Sequence, residues 1–230
     1  MIINKKIIIT LDGPASTGKS SLAKRLSNTL GYTHIDSGSM YRAATLFALR
    51  LNPDKILRPN IFVKCLSEIK IDFKKIYNEQ IIFLNNEDVS DEIRETYVTK
   101  EVSNVAKIPE LRSFLIKKQK EFGKNKGVVM DGRDIGTIVF PDAEVKFFLK
   151  ANVEVRAKRR YLEQLKKGNH QTYRNVLDNI IIRDRLDTKR AHSPLKKAID
   201  AIEIDVSNMT LDEAYENLLD HIEQLNNIKI

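Results

Sequence analysis

The amino-acid sequence predicts an α/β protein whose parallel sheet is covered by helices on both faces. Buried strands are expected where apolar residues follow one another without alternation and end at polar residues or glycine. Such runs are IIITL (7–11), VVM (128–130), VKFFL (145–149) and IEIDV (202–206), with YTHID (32–36) as a weaker candidate. Helical patterns lie between them, as where Leu22, Leu26 and Leu30 recur at every fourth residue. Strands that alternate with helices form parallel sheets, and this order predicts the fold class.

The first strand leads into a loop of small residues, GPASTGKS (13–20). The loop matches the P-loop pattern G-x-x-x-x-G-K-[ST], and it has the preceding strand and following helix that the pattern requires. Backbone N–H groups and the helix dipole favour an anion there. Lys19 is expected to reach the terminal phosphates of a nucleoside triphosphate, and Ser20 to ligate the accompanying Mg²⁺. Kinases, GTPases, motors and helicases all share such a loop, so the acceptor has to be found elsewhere.

Further arginine motifs predict a second anion site. DSGSMYR (36–42) follows the weak second strand, and Arg42 lies about one helical turn beyond Gly38, where its guanidinium would fork onto a phosphate. DGRDIGT (131–137) follows the strand VVM, and α/β proteins bind ligands at the carboxyl ends of their strands. For either motif taken alone, a solvated salt-bridging surface is the alternative.

The motif RDRLDTKR (183–190) also combines arginines with carboxylates. Arg183, Asp187 and Arg190 fall at the helical spacing i, i+4, i+7, which predicts that they share one face of a helix. A solvated salt-bridging surface is again the alternative.

Two stretches depart from the alternation of strands and helices. Residues 69–89 contain IKIDFKK, EQIIFLN and EDVS, separated by polar turns such as Asn85-Asn86, which predicts an antiparallel insertion. Residues 152–190 are helical by propensity, rich in arginine and lysine, and poor in large apolar residues. This composition predicts a solvated, mobile cover.

The segment LDEAYENLLDHIEQL predicts a C-terminal helix. Thr210 and Glu213 are spaced as a capping box at its start. Its apolar stripe consists of Leu211, Ala214, Tyr215, Leu218, Leu219 and Ile222.

The composition excludes several classes of protein. The 230 residues include one cysteine, Cys65, so an internal disulfide framework and a cysteine-based zinc site are excluded. The N-terminal apolar run is too short for a signal peptide, and no stretch approaches the roughly 20 apolar residues of a membrane span, so we expect a cytoplasmic protein without a membrane partner. The formal net charge of +8 fits nucleic acid, a membrane surface or a polyanionic small molecule. The histidines lack metal-ligand spacing and are interpreted as structural or surface residues: His34, His170, His192 and His221.

Together, GPASTGKSS, DSGSMYR, DGRDIGTIVFPDAEVKFFL, RAKRR and RDRLDTKRAHSPL resemble the bacterial cytidylate kinases, which are nucleoside monophosphate kinases. The resemblance runs from about Ile7 to the final helix, and DGRDIGT and RD-x-x-D-x-x-R-x-x-SPL are far more specific than the P-loop. It implies a three-layer P-loop NTPase core with a parallel sheet of about five strands, a monophosphate-binding lobe with an antiparallel insertion, and a lid. The implied ranges are 1–36, 106–151 and 183–230 for the core, 37–105 for the lobe with its insertion at about 69–89, and 152–182 for the lid.

The resemblance implies ATP as phosphoryl donor, with Mg²⁺ ligated by Ser20. The residues implied to bind ATP are those of the loop and of the lid: Gly13, Pro14, Ala15, Ser16, Thr17, Gly18, Lys19, Ser20, Ser21, Arg156, Arg159 and Arg160. The implied catalytic residues carry positive charge and are Lys19, Arg133, Arg183 and Arg190.

The resemblance implies CMP or dCMP as acceptor. Its phosphate is assigned to Ser37, Arg42 and Arg133, its cytosine to Ser103, Arg112 and Asp134, and its ribose to Asp187. A carboxylate accepts the amino hydrogen of cytosine, while arginine and serine donate to the ring acceptors. Asp131 is also placed among the substrate-binding residues, either to orient a water on Mg²⁺ or to brace an arginine.

We therefore expect a monomer that transfers the γ-phosphoryl of ATP to CMP or dCMP and binds no nucleic acid. One alternative is a nucleic-acid-dependent P-loop protein, suggested by the net charge, which would need a basic face with interleaved aromatic residues. Within the kinases, the alternative is a UMP/CMP or other monophosphate kinase with a different choice of base.

Overall fold

A computed structural model describes residues 6–52, 54, 56–76, 79–166, 168 and 171–228. His170 lies outside this described part of the chain. Contacts divide the chain into two compact units. The first unit comprises Met1–His34 and Gly123–Ile230, and the second comprises Ile35–Phe122.

The elements follow the predicted alternation. The strands are β1 (Ile8–Asp12), β2 (Thr33–Asp36), β3 (Ile71–Ile76), β4 (Glu79–Leu84), β5 (Glu87–Asp88), β6 (Val128–Gly132), β7 (Val145–Lys150) and β8 (Ile202–Asp205). The α-helices are α1 (Lys19–Leu30), α2 (Ser37–Arg50), α3 (Pro59–Lys64), α4 (Thr96–Val105), α5 (Pro109–Phe122), α6 (Val153–Lys166), α7 (Tyr173–Thr188) and α8 (Leu211–Ile228). Short 3₁₀ turns lie at Leu66–Glu68 and Glu92–Arg94, and a π-helical turn lies at Ile135–Val139.

The main sheet has five strands in the order β2-β6-β1-β7-β8. β1 pairs in parallel with β6 and with β7, and β7 pairs in parallel with β8. Every residue of β1 is buried, as expected for a strand with neighbours on both edges and helices over the sheet. The predicted α/β class and each predicted strand, including the weak second one, are confirmed.

The core of the first unit packs α1 and α8 against the sheet. Leu22 and Leu26 of α1, Phe147 of β7, and Leu218 and Ile222 of α8 are buried in one apolar cluster. The period of the leucines puts them on one face of α1, and that face covers the sheet.

The capping box of α8 is confirmed. The N–H of Thr210 donates to Glu213 Oε2 at 2.8 Å, and the N–H of Glu213 donates to Thr210 Oγ1 at 3.2 Å. The predicted stripe is correct except for Leu211, which is 47% exposed because it starts the helix ahead of the buried face.

Helices α6 and α7 form a small layer of the first unit. Ala157, Val176 and Ile180 make a minor buried cluster between them, while Ile181 and Ile182 are exposed. The helical, largely solvated nature of this stretch agrees with the sequence.

The prediction that Arg190 continues the helix of Arg183 and Asp187 is wrong. α7 ends at Thr188, and Arg190 follows the C-cap residue Lys189. The chain folds back after the helix, and the N–H of Leu195 donates to the carbonyl oxygen of Asp187 at 2.9 Å. A carbonyl at a helix end has no partner within the helix, and this bond supplies one.

The second unit contains the predicted antiparallel insertion, a sheet in the order β3-β4-β5. Asn85 and Asn86 have φ values of 49° and 70°, as the turn of a tight hairpin requires. Arg50 of α2 anchors this sheet, donating to both carboxylate oxygens of Glu87 at 2.6 and 2.9 Å. The contacts assign α5 to this unit, whereas the lobe expected from the sequence ends at residue 105. The functional division into core, lobe and lid stays a prediction.

Among the described helices, none combines the length and apolar character that crossing a membrane requires.

We expect Leu218→Ala to lower the free energy of unfolding by about 2–5 kcal/mol, because it leaves a cavity in the main apolar cluster. Chemical denaturation measures this change. The control is Leu211→Ala on the same helix, which should cost less than about 0.5 kcal/mol since Leu211 is exposed. Equal losses for the two variants would contradict this account of the core.

Candidate active site

The loop between β1 and α1 has a backbone that requires glycine at two positions. Gly13 has a φ of 146°, and a Cβ there would clash with the carbonyl oxygen of Leu149. Gly18 has a φ of 91° and is the N-cap residue of α1. Glycine adopts this conformation without strain, which other residues do not. The loop therefore reaches the N-terminus of α1 with its backbone close to the sheet, as the P-loop pattern predicts.

Lys19 is buried against this loop. Its Nζ donates to the carbonyl oxygen of Pro14 at 2.6 Å and to Thr17 Oγ1 at 3.1 Å. Burial, followed by the nearby charge of Arg133, lowers the pKa of Lys19 well below its usual value. A phosphate group bound here would favour the charged form of Lys19, because it places an opposite charge beside it.

Ser20, at the start of α1, contacts an acidic residue from β6. Its Oγ donates to Asp131 Oδ2 at 2.6 Å, and His34 Nε2 lies 2.7 Å from Asp131 Oδ1. Burial raises the pKa of Asp131, but the hydrogen bonds from His34 and Ser20 outweigh it, and the pKa lies below its usual value. Sequence reasoning assigned His34 no place here, because nothing in its spacing points to Asp131.

This pair of oxygen groups fits a magnesium ion. Mg²⁺ binds proteins through one or two oxygen ligands and completes its shell with water and substrate phosphates. No cluster of three or more His, Cys, Asp or Glu side chains suited to a metal occurs in the part of the chain that the structure describes. A metal at Ser20 would therefore depend on phosphate ligands.

Arginines surround Asp187 near the end of α7. Arg133 Nε donates to Asp187 Oδ2 at 2.8 Å, and Arg190 Nη1 lies 3.7 Å from Asp187 Oδ1. Burial raises the pKa of Asp187, but the charges of Arg133, Arg190 and Arg183 outweigh it and leave the pKa lowered. Although Arg190 lies outside the helix, the turn after α7 returns it to Asp187.

Arg183 adds a further buried guanidinium beside Arg133 and Asp187. Its Nε is buried and has no hydrogen-bond partner within the described residues. Burial, followed by the charge of Arg133, lowers the pKa of Arg183 to about 10. Such a cluster favours an incoming anion, because an anion relieves repulsion between the guanidinium groups.

The P-loop also contacts α6 and α7. The N–H of Ala15 donates to Asp184 Oδ1 at 3.3 Å, and its carbonyl oxygen accepts from Arg156 Nη1 at 3.1 Å. Arg156 Nη1 also donates to the carboxylate of Asp184, which sequence reasoning had not singled out. The structure thus places Arg156, one of the three arginines predicted to bind ATP from a lid, at the loop.

The other two arginines predicted for the lid contact residues outside the loop. Arg159 Nη2 donates to the carbonyl oxygens of Val206 and Met209 at 2.7 and 2.9 Å. Arg160 Nη1 donates to Glu163 Oε2 at 3.0 Å.

Asp12, the last residue of β1, holds the turn that follows β6. Its carboxylate accepts from the N–H groups of Ile135 and Gly136 at 2.9 and 2.7 Å. Burial raises the pKa of Asp12 to about 6, and the two backbone hydrogen bonds oppose this rise. The same turn carries Arg133 and the buried Asp134, so Asp12 fixes their backbone. Sequence reasoning missed this role.

The remaining predicted residues lie in the second unit. Arg42 Nη1 donates to Thr99 Oγ1 at 2.7 Å and to the carbonyl oxygen of Ile93 at 3.1 Å. Ser37 is buried in the first turn of α2, whose N-cap residue Asp36 accepts from the N–H of Ser39 at 3.1 Å.

Arg112 of α5 is buried. Its Nη1 donates to the carbonyl oxygen of Ala106 at 3.2 Å, and its guanidinium lies 5.1 Å from the ring centroid of Tyr41. Ser103 lies on α4 and is half-buried.

Comparison with known proteins gives close relatives along nearly the whole chain. A family model described as cytidylate kinase matches residues 9–224. A cytidylate kinase of Bacillus velezensis is 45% identical over 222 residues, which cover 96% of this chain and 99% of that protein. A cytidylate kinase of Flavobacterium psychrophilum is 46% identical over 228 residues, which cover 96% of this chain and all of that protein. The solved structure of an uncharacterized protein from Eubacterium ventriosum matches with a TM-score of 0.52 at 13% identity. The match covers 96% of this chain and 99% of that protein's chain, and at this identity it shows a similar fold alone.

We expect Asp12 to make stability depend on pH. Aspartate ionises near its ordinary pKa of 3.8 when the chain is unfolded and near 6 in the folded protein. Between these values the folded state holds the additional proton, so the free energy of unfolding falls as pH rises. Relative to Asp12→Asn, the wild type should lose about 2–3 kcal/mol across this window in denaturant titrations. A difference between the two proteins that stays constant from pH 4 to 7 would contradict this prediction.

Proposed function

The chain belongs to the cytidylate kinase family, and from this membership we propose that it transfers the γ-phosphoryl group of ATP to CMP or dCMP. The products are ADP and CDP or dCDP. The observation that carries the proposal is the similarity itself, since the family model spans the P-loop and each arginine motif. The buried cationic groups around the P-loop support it, because phosphoryl transfer needs positioning and charge neutralisation more than acid–base groups.

We assign the donor, ATP, to the loop residues 13–21. Their backbone N–H groups face a phosphate at the N-terminus of α1, and Lys19 supplies charge there. Ser20 would hold Mg²⁺, with Asp131 accepting the hydroxyl hydrogen. When bound, this ion neutralises charge on the phosphates and orients them. The assignment of Arg156, Arg159 and Arg160 to ATP stays a prediction, which the contact between Arg156 and Ala15 supports for Arg156.

We assign the acceptor's phosphate to Ser37, Arg42 and Arg133, because guanidinium forks match phosphate oxygens. Ser103, Arg112 and Asp134 are proposed to recognise cytosine, and Asp187 to bind the ribose. An ionised Asp134 would accept from the amino group of cytosine and would repel the carbonyl oxygen of uracil at the same position.

In the proposed reaction, an oxygen of the CMP phosphate attacks the γ-phosphorus as the bond to the bridging oxygen of ADP breaks. No general base is needed, because the acceptor phosphate is a dianion near neutral pH. Arg183 and Arg190 offset charge on the group in transfer, Arg133 holds the acceptor beside them, and Lys19 offsets charge on the donor. The geometry around Asp187 supports this assignment, since it keeps these arginines together.

We also propose that the enzyme acts as a cytoplasmic monomer on small nucleotides, without nucleic acid or membrane. The clustering of arginines with carboxylates supports a small polyanion as ligand rather than an extended one. Light scattering of the purified protein measures its mass in solution. A mass equal to that of a dimer would contradict the proposal that the enzyme is a monomer.

An ADP-release assay tests the proposed function. With ATP and Mg²⁺ present, CMP and dCMP should release ADP much faster than UMP, AMP or GMP. Preference for another monophosphate would identify a different member of the kinase class. Binding of RNA without nucleotide-dependent ADP release would favour the nucleic-acid-dependent class instead.

We expect Arg190→Ala to lower kcat for CMP at least about a hundredfold, because it removes a positioned charge from the transferring group. The control is Arg174→Ala, an exposed arginine on α7 whose described partner is Asp178. Steady-state kinetics should show this control near wild type. Near-normal turnover of Arg190→Ala would contradict the role assigned to Arg190.

We expect Asp134→Asn to reduce the preference for CMP over UMP, measured as a ratio of kcat/KM values, by about tenfold or more. A carboxylate only accepts, whereas an amide can accept from the amino group of cytosine or donate to the carbonyl oxygen of uracil, so the discrimination between the two bases falls. The KM for ATP should change little. Asp142→Asn, at an exposed position after β6, serves as control, and an unchanged CMP/UMP ratio in Asp134→Asn would argue against the assignment.

A further inference from the structure

We infer that His34 is a positioning residue for the magnesium end of the ATP site, acting through Asp131 on Ser20. The inference rests on the proposed function, since it assumes that Mg²⁺ accompanies ATP at Ser20. It gives a role to a histidine that no motif in the sequence marks.

The geometry gives each oxygen of Asp131 a defined partner. His34 of β2 lies 2.7 Å from Oδ1, and Ser20 donates to Oδ2 at 2.6 Å. Both His34 and Asp131 are nearly enclosed, with side chains 10% and 4% exposed. Ser20 is exposed, so its hydroxyl remains reachable from solvent. A continuous chain of polar contacts therefore runs from the second strand to the start of α1.

The direction of the Ser20 hydroxyl explains why this chain matters for a metal. A hydroxyl binds a cation through its oxygen lone pairs, so its hydrogen has to point to another acceptor. Asp131 Oδ2 supplies that acceptor. Ser20 then presents its lone pairs away from Asp131, as a metal ligand requires.

His34 determines whether Asp131 keeps this orientation. A carboxylate held at one oxygen can rotate about its Cβ–Cγ bond, whereas one held at both cannot rotate without breaking a hydrogen bond. Losing the His34 contact would remove a donor from the buried Oδ1 atom, which favours rotation of the carboxylate towards another donor. Residues that orient metal ligands in this indirect way typically change metal affinity by about 10–100-fold when replaced.

A purely structural tie between β2 and β6 makes a different prediction. In that case, replacement of His34 would lower the stability of the metal-free protein and leave Mg²⁺ affinity unchanged. A positioning role would weaken Mg²⁺ binding, and a side chain that restores the donor would recover it. The two roles are therefore separable by measuring metal affinity and stability on the same variants.

The experiment uses His34→Phe, which keeps a ring without a donor, and His34→Gln, which keeps an N–H at similar reach. His221→Gln is the control, since His221 lies on α8 beside Phe147. Calorimetry measures Mg²⁺ binding to each full-length protein saturated with a non-hydrolysable ATP analogue. We expect affinity about tenfold or more weaker in His34→Phe, most of it recovered in His34→Gln, and wild-type affinity in His221→Gln. The KM for CMP should be the same in all of them.

Wild-type Mg²⁺ affinity in His34→Phe would overturn the inference, as would equal losses in His34→Phe and His34→Gln. If His34→Phe does not fold, NMR of the wild-type protein decides. Adding Mg²⁺ to its ATP-analogue complex should shift the imidazole resonances of His34 and leave those of His221 unchanged, and an unshifted His34 would overturn the inference. The calorimetry and the NMR need no CMP, so a protein that binds Mg²⁺ normally and fails to phosphorylate CMP would refute the proposed function alone.

Discussion

The need to hold positive charge in a largely buried place governs the arrangement of the first unit. Lys19, Arg133 and Arg183 lie where burial opposes ionisation, and the lowered pKa of Lys19 and of Arg183 expresses that cost. A fold tolerates such charges when opposite charges or a ligand compensate them. Nucleotide phosphates are ligands of this kind. Burying these positive charges costs electrostatic free energy when no ligand is bound, and the same uncompensated charge increases the attraction of the cluster for ATP.

Carboxylates organise these cations and the loops around them. Asp187 orients Arg133 and Arg190, Asp184 joins Arg156 to the backbone of Ala15, and Asp131 receives the hydroxyl of Ser20. Asp12 acts on the backbone instead, because its carboxylate accepts from two N–H groups of the turn that carries Arg133. Each carboxylate thus fixes one part of the machinery, and this division explains why acidic residues are frequent in a site for anions.

Two arginines of the second unit, Arg42 and Arg112, contact neutral groups. Arg42 donates to a carbonyl oxygen and a hydroxyl, and Arg112 donates to a carbonyl oxygen and lies over an aromatic ring. These groups are neutral, and each helps to orient the guanidinium. Arginines held in this way suit the recognition of a phosphate and of a base that offers acceptors.

The sequence by itself determined the fold class, the P-loop, the antiparallel insertion and the helix cap at Thr210, because each depends on residues close together in the chain. Apolar runs predict buried strands, and Gly13 and Gly18 meet a local backbone requirement. The resemblance carried by the motifs also indicated the family. Only the tertiary structure decided that α7 stops before Arg190, and that Asp12, His34 and Asp184 belong to the site. Their partners lie on strands, turns and helices far away in sequence, and no local pattern encodes which distant backbone group a buried side chain will meet.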